Sequence, residues 1–389
     1  MDRRNFITTG SRLGAALAAL MLTQACSDGH AEESPPAGPG PGVGPRPDTA
    51  PDGIAFTLFS RHLQWVSTQG EAESLPYDVG VKIGQKAQEI GYKWVDLTVR
   101  STGHVDPSRV DVAVNLPLML KGIRSTGAKC RHMTCNIVDS TTAVHTRNGA
   151  QVLAEDILRV GNDNGIELYR WGGFSYDVTT ANNKPQPFGN QVLEQLDAFA
   201  ARVEALAALN RKLGMTAVYH TFSGGNNARS VWDLMHMLKR FEPRDLALNF
   251  DIGHMVTESA LSAWRTNVRY AMPAIRSVGL KDGLVERNPA NGAVRSVWTP
   301  AGQGMVQWKE FFQLLLEGGF NGPAEAQYEY NVTGLTGQSV SLNTTFWADN
   351  AALSSGNLTP AFLTGELKKD LAVYRQAAAE AGWPAARLT

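Results

Sequence analysis

The stretch LALNFDIGH, residues 246–254, is apolar for most of its length and ends in a polar turn that carries Asp251 and His254. A short apolar run that turns polar at its C-terminal end reads as a buried parallel strand delivering side chains at its tip. Seven further runs share this character: IAFTLFS (54–60), WVDLTVR (94–100), AKCRHMTCNI (128–137), GIELYRWG (165–172), GMTAVYH (214–220), IRSVGLKD (275–282) and GPAEAQYEY (322–330). They recur roughly every 30 to 50 residues, the length of a strand, a helix and two loops. Helix-periodic segments lie between them, including 192–214 and 308–319, the second closing on Gly318 and Gly319.

Eight such alternations predict parallel strands joined by helical crossovers and closed into a single (β/α)8 TIM barrel. An open doubly wound sheet would place a glycine-rich phosphate turn after the first strand, where the chain instead runs RHLQW (61–65). In a barrel the C-terminal strand ends form the functional face. The polar residues gathered there are His62, Arg100, His104, Arg170, His220, Asp251, His254, Lys281, Asp282 and Glu329. Any one of them alone reads as hydrogen-bonded structure; together they predict a site for a polar ligand.

The chain has 389 residues, 43% of them hydrophobic and 19% charged, with a formal net charge of -1. That balance supplies a large core and no basic field for neutralising phosphates, so nucleic acid is not an expected partner. Residues 1–26 combine Arg3 and Arg4, Phe6 and a short apolar run ending in LTQAC. They predict a twin-arginine export signal with lipidation at Cys26; ordinary cleavage after Ala25 or Ala31 is the alternative. Either outcome places the mature protein outside the cytoplasm, in the periplasm or cell envelope, with the membrane touched only through the lipid. Residues 27–53 are too rich in Pro and Gly to bury a core and read as a tether, which leaves 54–389 for the barrel with a C-terminal loop and helix. Cys130 and Cys135 share one expected strand; five residues of extended chain separate them by roughly 16 Å, which predicts buried free thiols.

The segments FSRHLQW (59–65), VDLTVRSTGHVDP (95–107), YRWGGFSYD (169–177), VWDLMHML (231–238), FDIGHM (250–255), LKD (280–282) and AGQGMVQWKEFF (301–312) resemble, in order and spacing, the sugar phosphate isomerase/epimerase group, the xylose-isomerase-like TIM barrels. The resemblance runs from about Ile54 to Tyr330. It implies a divalent metal bound by an acid on strand five, the Asp of a D-x-x-H element on strand six, a His on strand seven and a Glu on strand eight. Asp251 matches the strand-six ligand and His254 its substrate-contacting neighbour. The other positions depart: His220 stands on strand five, Gly279 where the strand-seven His belongs, and Gln327 for the strand-eight Glu unless the register slips to Glu325 or Glu329. Asp251 and His220 are thus the metal candidates, for Mn or Zn, and the departures weigh against a resident metal.

The resemblance implies proton removal next to a carbonyl on a sugar: isomerisation, epimerisation or elimination. His220 or His254 is expected as the base, His104 as the partner acid, Asp251 as the orienting carboxylate, and Lys281 as the oxyanion-binding cation. Arg100, Arg170, His62, Gln327 and Glu329 are expected to hold hydroxyls, with Trp65 and Trp171 stacking on the sugar or else packing under loops. Export favours an unphosphorylated sugar or keto-glycoside. A non-catalytic sugar-binding lipoprotein on the same barrel is the alternative. Residues 331–359 are expected as a lid or a surface loop, and the sequence leaves the oligomeric state open.

Overall fold

The computed structural model describes residues 52–140, 143–177, 189–221, 230–259, 261–343 and 346–389. The export signal and all but the last two residues of the tether lie outside them. Eight parallel strands form a closed barrel: β1 (Ile54–Phe59), β2 (Trp94–Thr98), β3 (Lys129–Ile137), β4 (Leu168–Trp171), β5 (Thr216–His220), β6 (Leu246–Asp251), β7 (Ile275–Leu280) and β8 (Gly322–Ala326). Closure is made by β1, which pairs with β8 from Ile54↔Gly322 to Leu58↔Ala326 and with β2 from Thr57↔Trp94 to Phe59↔Asp96. The strands are near-continuous apolar runs because both faces are covered, by the lumen and by the surrounding helices.

Local chemistry sets the helix ends. The helix Pro76–Ile90 starts with Pro in its first turn and stops at Gly91, whose φ of 116° suits glycine alone. Its stripe of Val79, Ile83, Ala87 and Ile90 is buried. Trp308–Glu317 buries Trp308, Phe311, Phe312 and Leu315 and ends at Gly318, as its sequence predicts. The expected single helix over 192–214 is instead two, Asn190–Arg202 and Glu204–Leu213, separated at Val203. Nothing in the sequence marks that break.

Two β-hairpins at the C-terminal face bear on the site. Immediately after β7, Asp282–Arg287 pairs antiparallel with Val294–Thr299. After β8, Asn331–Thr333 pairs with Ser339–Ser341 and is followed by the short helix Ala351–Ser354. This second region covers one side of the rim: Trp347 meets His104 edge-on at 5.3 Å, and Arg61 bonds Asn343. Cys130 and Cys135 are buried and not joined in a disulfide, as expected. Among the described residues no helix is long and apolar enough to cross a membrane.

Candidate active site

Lys281 is the centre of the rim. It follows β7, where side chains alternate between lumen and helix layer, so Gly279 and Lys281 share the lumen side. The ammonium is 2% exposed. Its Nζ lies 3.0 Å from Glu329 Oε2, 3.4 Å from Asp251 Oδ2 and 2.6 Å from His254 Nε2, and 4.4 Å above the Trp298 ring. Two carboxylates and one π-face thus surround a single buried cation. Gly253 makes room for its stem, since a Cβ at that position would stand 2.5 Å from Lys281 Cγ.

The LALNFDIGH stretch supplies the partners through its turn. Asp251 is fully buried and caps the short helix Ile252–His254, its Oδ1 accepting from His254 N at 3.0 Å. Asp251 N in turn donates to Thr221 Oγ1 at 2.8 Å. The chain continues helically, so Glu258 falls one turn after His254 and its Oε2 lies 2.5 Å from His254 Nδ1. An ionised carboxylate only accepts, which puts the imidazole proton on Nδ1 and leaves Nε2 to accept from Lys281. His220 completes the group, its Nε2 3.3 Å from Asp251 Oδ2 and its Nδ1 3.2 Å from Asn249 Nδ2.

The electrostatics follow. Burial alone would raise the Asp251 carboxyl, but Lys281, His254 and His220 outweigh it and hold the group well below the usual carboxylate range. Glu329 behaves likewise: burial opposes ionisation, and Lys281 and His254 overcome it to bring the carboxyl down to about 2. Burial, helped by Arg170, pushes His220 down to about 3, so its imidazole is neutral at pH 7.

The other expected site residues divide. Arg100 and Arg170 reach the mouth beside Arg61, and both guanidinium groups lie over the Phe59 ring, at 5.6 Å and 5.5 Å. Burial and the neighbouring Arg170 and Arg61 lower Arg100 to about 10, a mark of crowded positive charge. His104 is buried apart from the Lys281 group, Nδ1 3.0 Å from Thr98 Oγ1 and 3.2 Å from Ser60 Oγ, and burial lowers it to about 3. His62 is spent on structure, its Nε2 accepting from Tyr328 N at 3.0 Å. Trp65 bonds the His62 carbonyl, and Trp171 packs between Phe199 and Tyr219, so both indoles belong to the core. Asp282 clamps the following loop, accepting from Gly283 N, Val306 N, Gly302 N and Trp308 Nε1 at 2.9 to 3.1 Å. Gln327 is buried and donates to Glu325 Oε1 at 2.9 Å. Glu258 and Trp298 escape the sequence reading; the i, i+4 spacing of Glu258 from His254 was the available signal for the first.

The Xylose isomerase-like TIM barrel family matches residues 85–342. Among solved structures, a xylose isomerase-like TIM barrel protein from Mycobacterium smegmatis in complex with magnesium aligns with a TM-score of 0.51 at 16% identity, covering 83% of this chain and 98% of its own. D-allulose 3-epimerase from Methylomonas sp. in complex with D-allulose aligns with a TM-score of 0.54 at 14% identity, over 84% and 98% of the two chains. An L-ribulose 3-epimerase gives 0.53 at 15%, over 84% and 95%. No curated protein matches the chain.

Ligating atoms of His220, Asp251 and His254 do lie within 4.8 Å of one another. Lys281 Nζ, however, already bonds His254 Nε2 and pairs with Asp251 Oδ2, the same atoms a dication would need. A Cβ at residue 279 would stand 2.9 Å from Asp251 Oδ2, so β7 admits no ligand there. These three residues do not fit a divalent metal alongside Lys281.

Proposed function

Because this chain belongs to the xylose isomerase-like TIM barrel family, we propose that it is a sugar isomerase or epimerase that moves a proton next to a carbonyl, with Lys281 as its electrophile and His254 as its base. The supporting observation is the 2.6 Å contact between Lys281 Nζ and His254 Nε2 inside a shell of two carboxylates. The sugar class rests on the two epimerases that share the fold.

The geometry couples the two roles. A carbonyl oxygen arriving at Lys281 takes the N–H that His254 was accepting, and the Nε2 lone pair is freed. That lone pair removes the proton from the adjacent carbon; the C–H electron pair becomes the C=C bond as the carbonyl π pair moves onto oxygen, forming an enediolate. The ammonium, fixed in advance by Asp251 and Glu329, neutralises the new oxyanion without reorganisation. Glu258 stabilises the imidazolium through Nδ1, and the neutral His220 packs its Nε2 3.3 Å from Asp251 Oδ2 beside that carboxylate. Among the described residues one imidazole faces the ammonium, which suits proton transfer between neighbouring carbons on one face. Arg100 and Arg170 line the mouth as donors to substrate hydroxyls.

The testing experiment is incubation of keto-sugars and keto-glycosides with the protein in D₂O, read by mass spectrometry. Deuterium incorporation next to the carbonyl is expected. Tight binding of a sugar without incorporation or turnover would mark the protein as a sugar-binding one.

The proposal includes the compartment, on the sequence of residues 1–26. Twin-arginine export and lipidation at Cys26 would bring the barrel to unphosphorylated sugars in the envelope. Replacing Arg3 and Arg4 by Lys is expected to retain precursor in the cytoplasm; normal export of that variant would overturn this part.

A further inference from the structure

A second cluster lies in the lumen and takes no part in the proposed reaction. Asp96 on β2 and Glu325 on β8 flank β1 on either side, so they meet only across the inside of the barrel. His132 on β3, paired with Asp96 in register, joins them. One ligating atom from each of the three lies within 4.8 Å of the others. All are fully buried, at 0%, 2% and 0% exposure for Asp96, His132 and Glu325.

Their hydrogen bonding is incomplete in a specific way. Asp96 Oδ2 accepts from Thr134 Oγ1 at 2.6 Å, and Glu325 Oε1 accepts from Gln327 Nε2 at 2.9 Å. Asp96 Oδ1, Glu325 Oε2 and both ring nitrogens of His132 have no hydrogen-bond partner among the described residues. Buried polar atoms of this kind are costly unless something satisfies them.

We infer that Asp96, His132 and Glu325 form a binding site for one divalent cation of borderline hardness, Zn²⁺ or Mn²⁺, in the barrel interior. A proton shared between the two carboxyl groups would satisfy one oxygen on each but leave His132 with no hydrogen bond, only a 3.8 Å contact from its Nδ1 to Asp96 Oδ2. A cation takes an oxygen from each carboxylate and a nitrogen from His132 at once. Two carboxylates and an imidazole suit Zn²⁺ or Mn²⁺ better than Mg²⁺ or Ca²⁺, which prefer all-oxygen shells. Entry does not need the candidate active site. A cavity of about 230 Å³ at the N-terminal ends of the strands is lined by Thr57, Trp94, His132 and Thr216.

The test uses the full chain and the metals alone. The purified protein, after incubation with Zn²⁺, Mn²⁺ or Co²⁺ and desalting, is expected to hold one equivalent by elemental analysis. Its melting temperature should rise, since a cation bound only by the folded state stabilises it by mass action. Co²⁺ should give a visible absorption band that His132→Gln, and independently Glu325→Gln, removes. Asp251→Asn and His220→Gln, which alter the other cluster, should keep the equivalent. Failure to bind any of the three metals, with no thermal shift in the wild type, would overturn the inference in favour of a shared proton. Metal retained in His132→Gln but lost in Asp251→Asn would overturn it by moving the cation to the mouth. The first outcome leaves deuterium incorporation by His254 as expected, so the two proposals fail separately; the second would also count against Lys281 as the electrophile.

Discussion

Replacing Lys281 by Met is expected to lower turnover of a verified substrate by about 10² to 10³-fold, the usual cost of removing one oxyanion-stabilising donor. The fold should suffer as well. Asp251 would be left as a buried carboxylate and the partly buried Glu329 would lose its cation too; breaking a buried pair costs about 3–5 kcal/mol. Stability in urea and turnover, measured on the same preparation, report the two effects. Lys281→Arg separates them: it keeps the positive charge, and with it most of the stability, but a planar guanidinium cannot direct one donor at both His254 Nε2 and a substrate oxygen. Turnover should therefore stay low in the Arg variant. An Arg variant with full activity would show that charge alone matters at this position.

Asp251→Asn should lower turnover by about 10² to 10⁴-fold, because the variant keeps the shape of the turn and removes half the counter-charge that positions Lys281. Its stability signature is pH-dependent. The Asp251 carboxyl is held below its ordinary value in the folded protein, so its contribution is complete above the unfolded value and disappears as pH falls. Glu329, drawn down to about 2, acts in the same direction. The wild type should lose stability from about pH 5 downward. The Asn variant should start lower and fall less steeply over that interval. Parallel curves for the two proteins would show that Asp251 carries no charge-dependent stabilisation.

Strand and helix periodicity made the barrel legible, because eight buried parallel strands must each be an apolar run. The polar tips were legible for the same reason: Asp251, His254 and Lys281 stand just where the apolar character stops, and the structure brings them into one group. What the sequence could not reveal depends on closure and on side-chain direction. Asp282 and Lys281 are adjacent, yet one faces the loop amides and the other the lumen, and only the observed bonds tell them apart. Trp298 arrives over Lys281 from a hairpin that begins at Asp282, where the sequence shows only a continuation of β7. His62 and His104 sit at strand ends like the others but are turned to Tyr328 N and to Thr98 and Ser60. The Asp96, His132 and Glu325 cluster was invisible because its members lie within apolar strands, and because β8 comes within reach of β2 only when β1 closes the barrel between them.

The most direct measurement is the rate at which a keto-sugar gains solvent deuterium next to its carbonyl, compared between the wild type and His254→Gln. The Gln side chain keeps a polar group near Lys281 but cannot take a proton at pH 7. Incorporation by the wild type, reduced about 10²-fold or more in a variant that melts at the wild-type temperature, is the expected result. Incorporation at the wild-type rate in His254→Gln would contradict the assignment of His254 as the base at the Lys281 site.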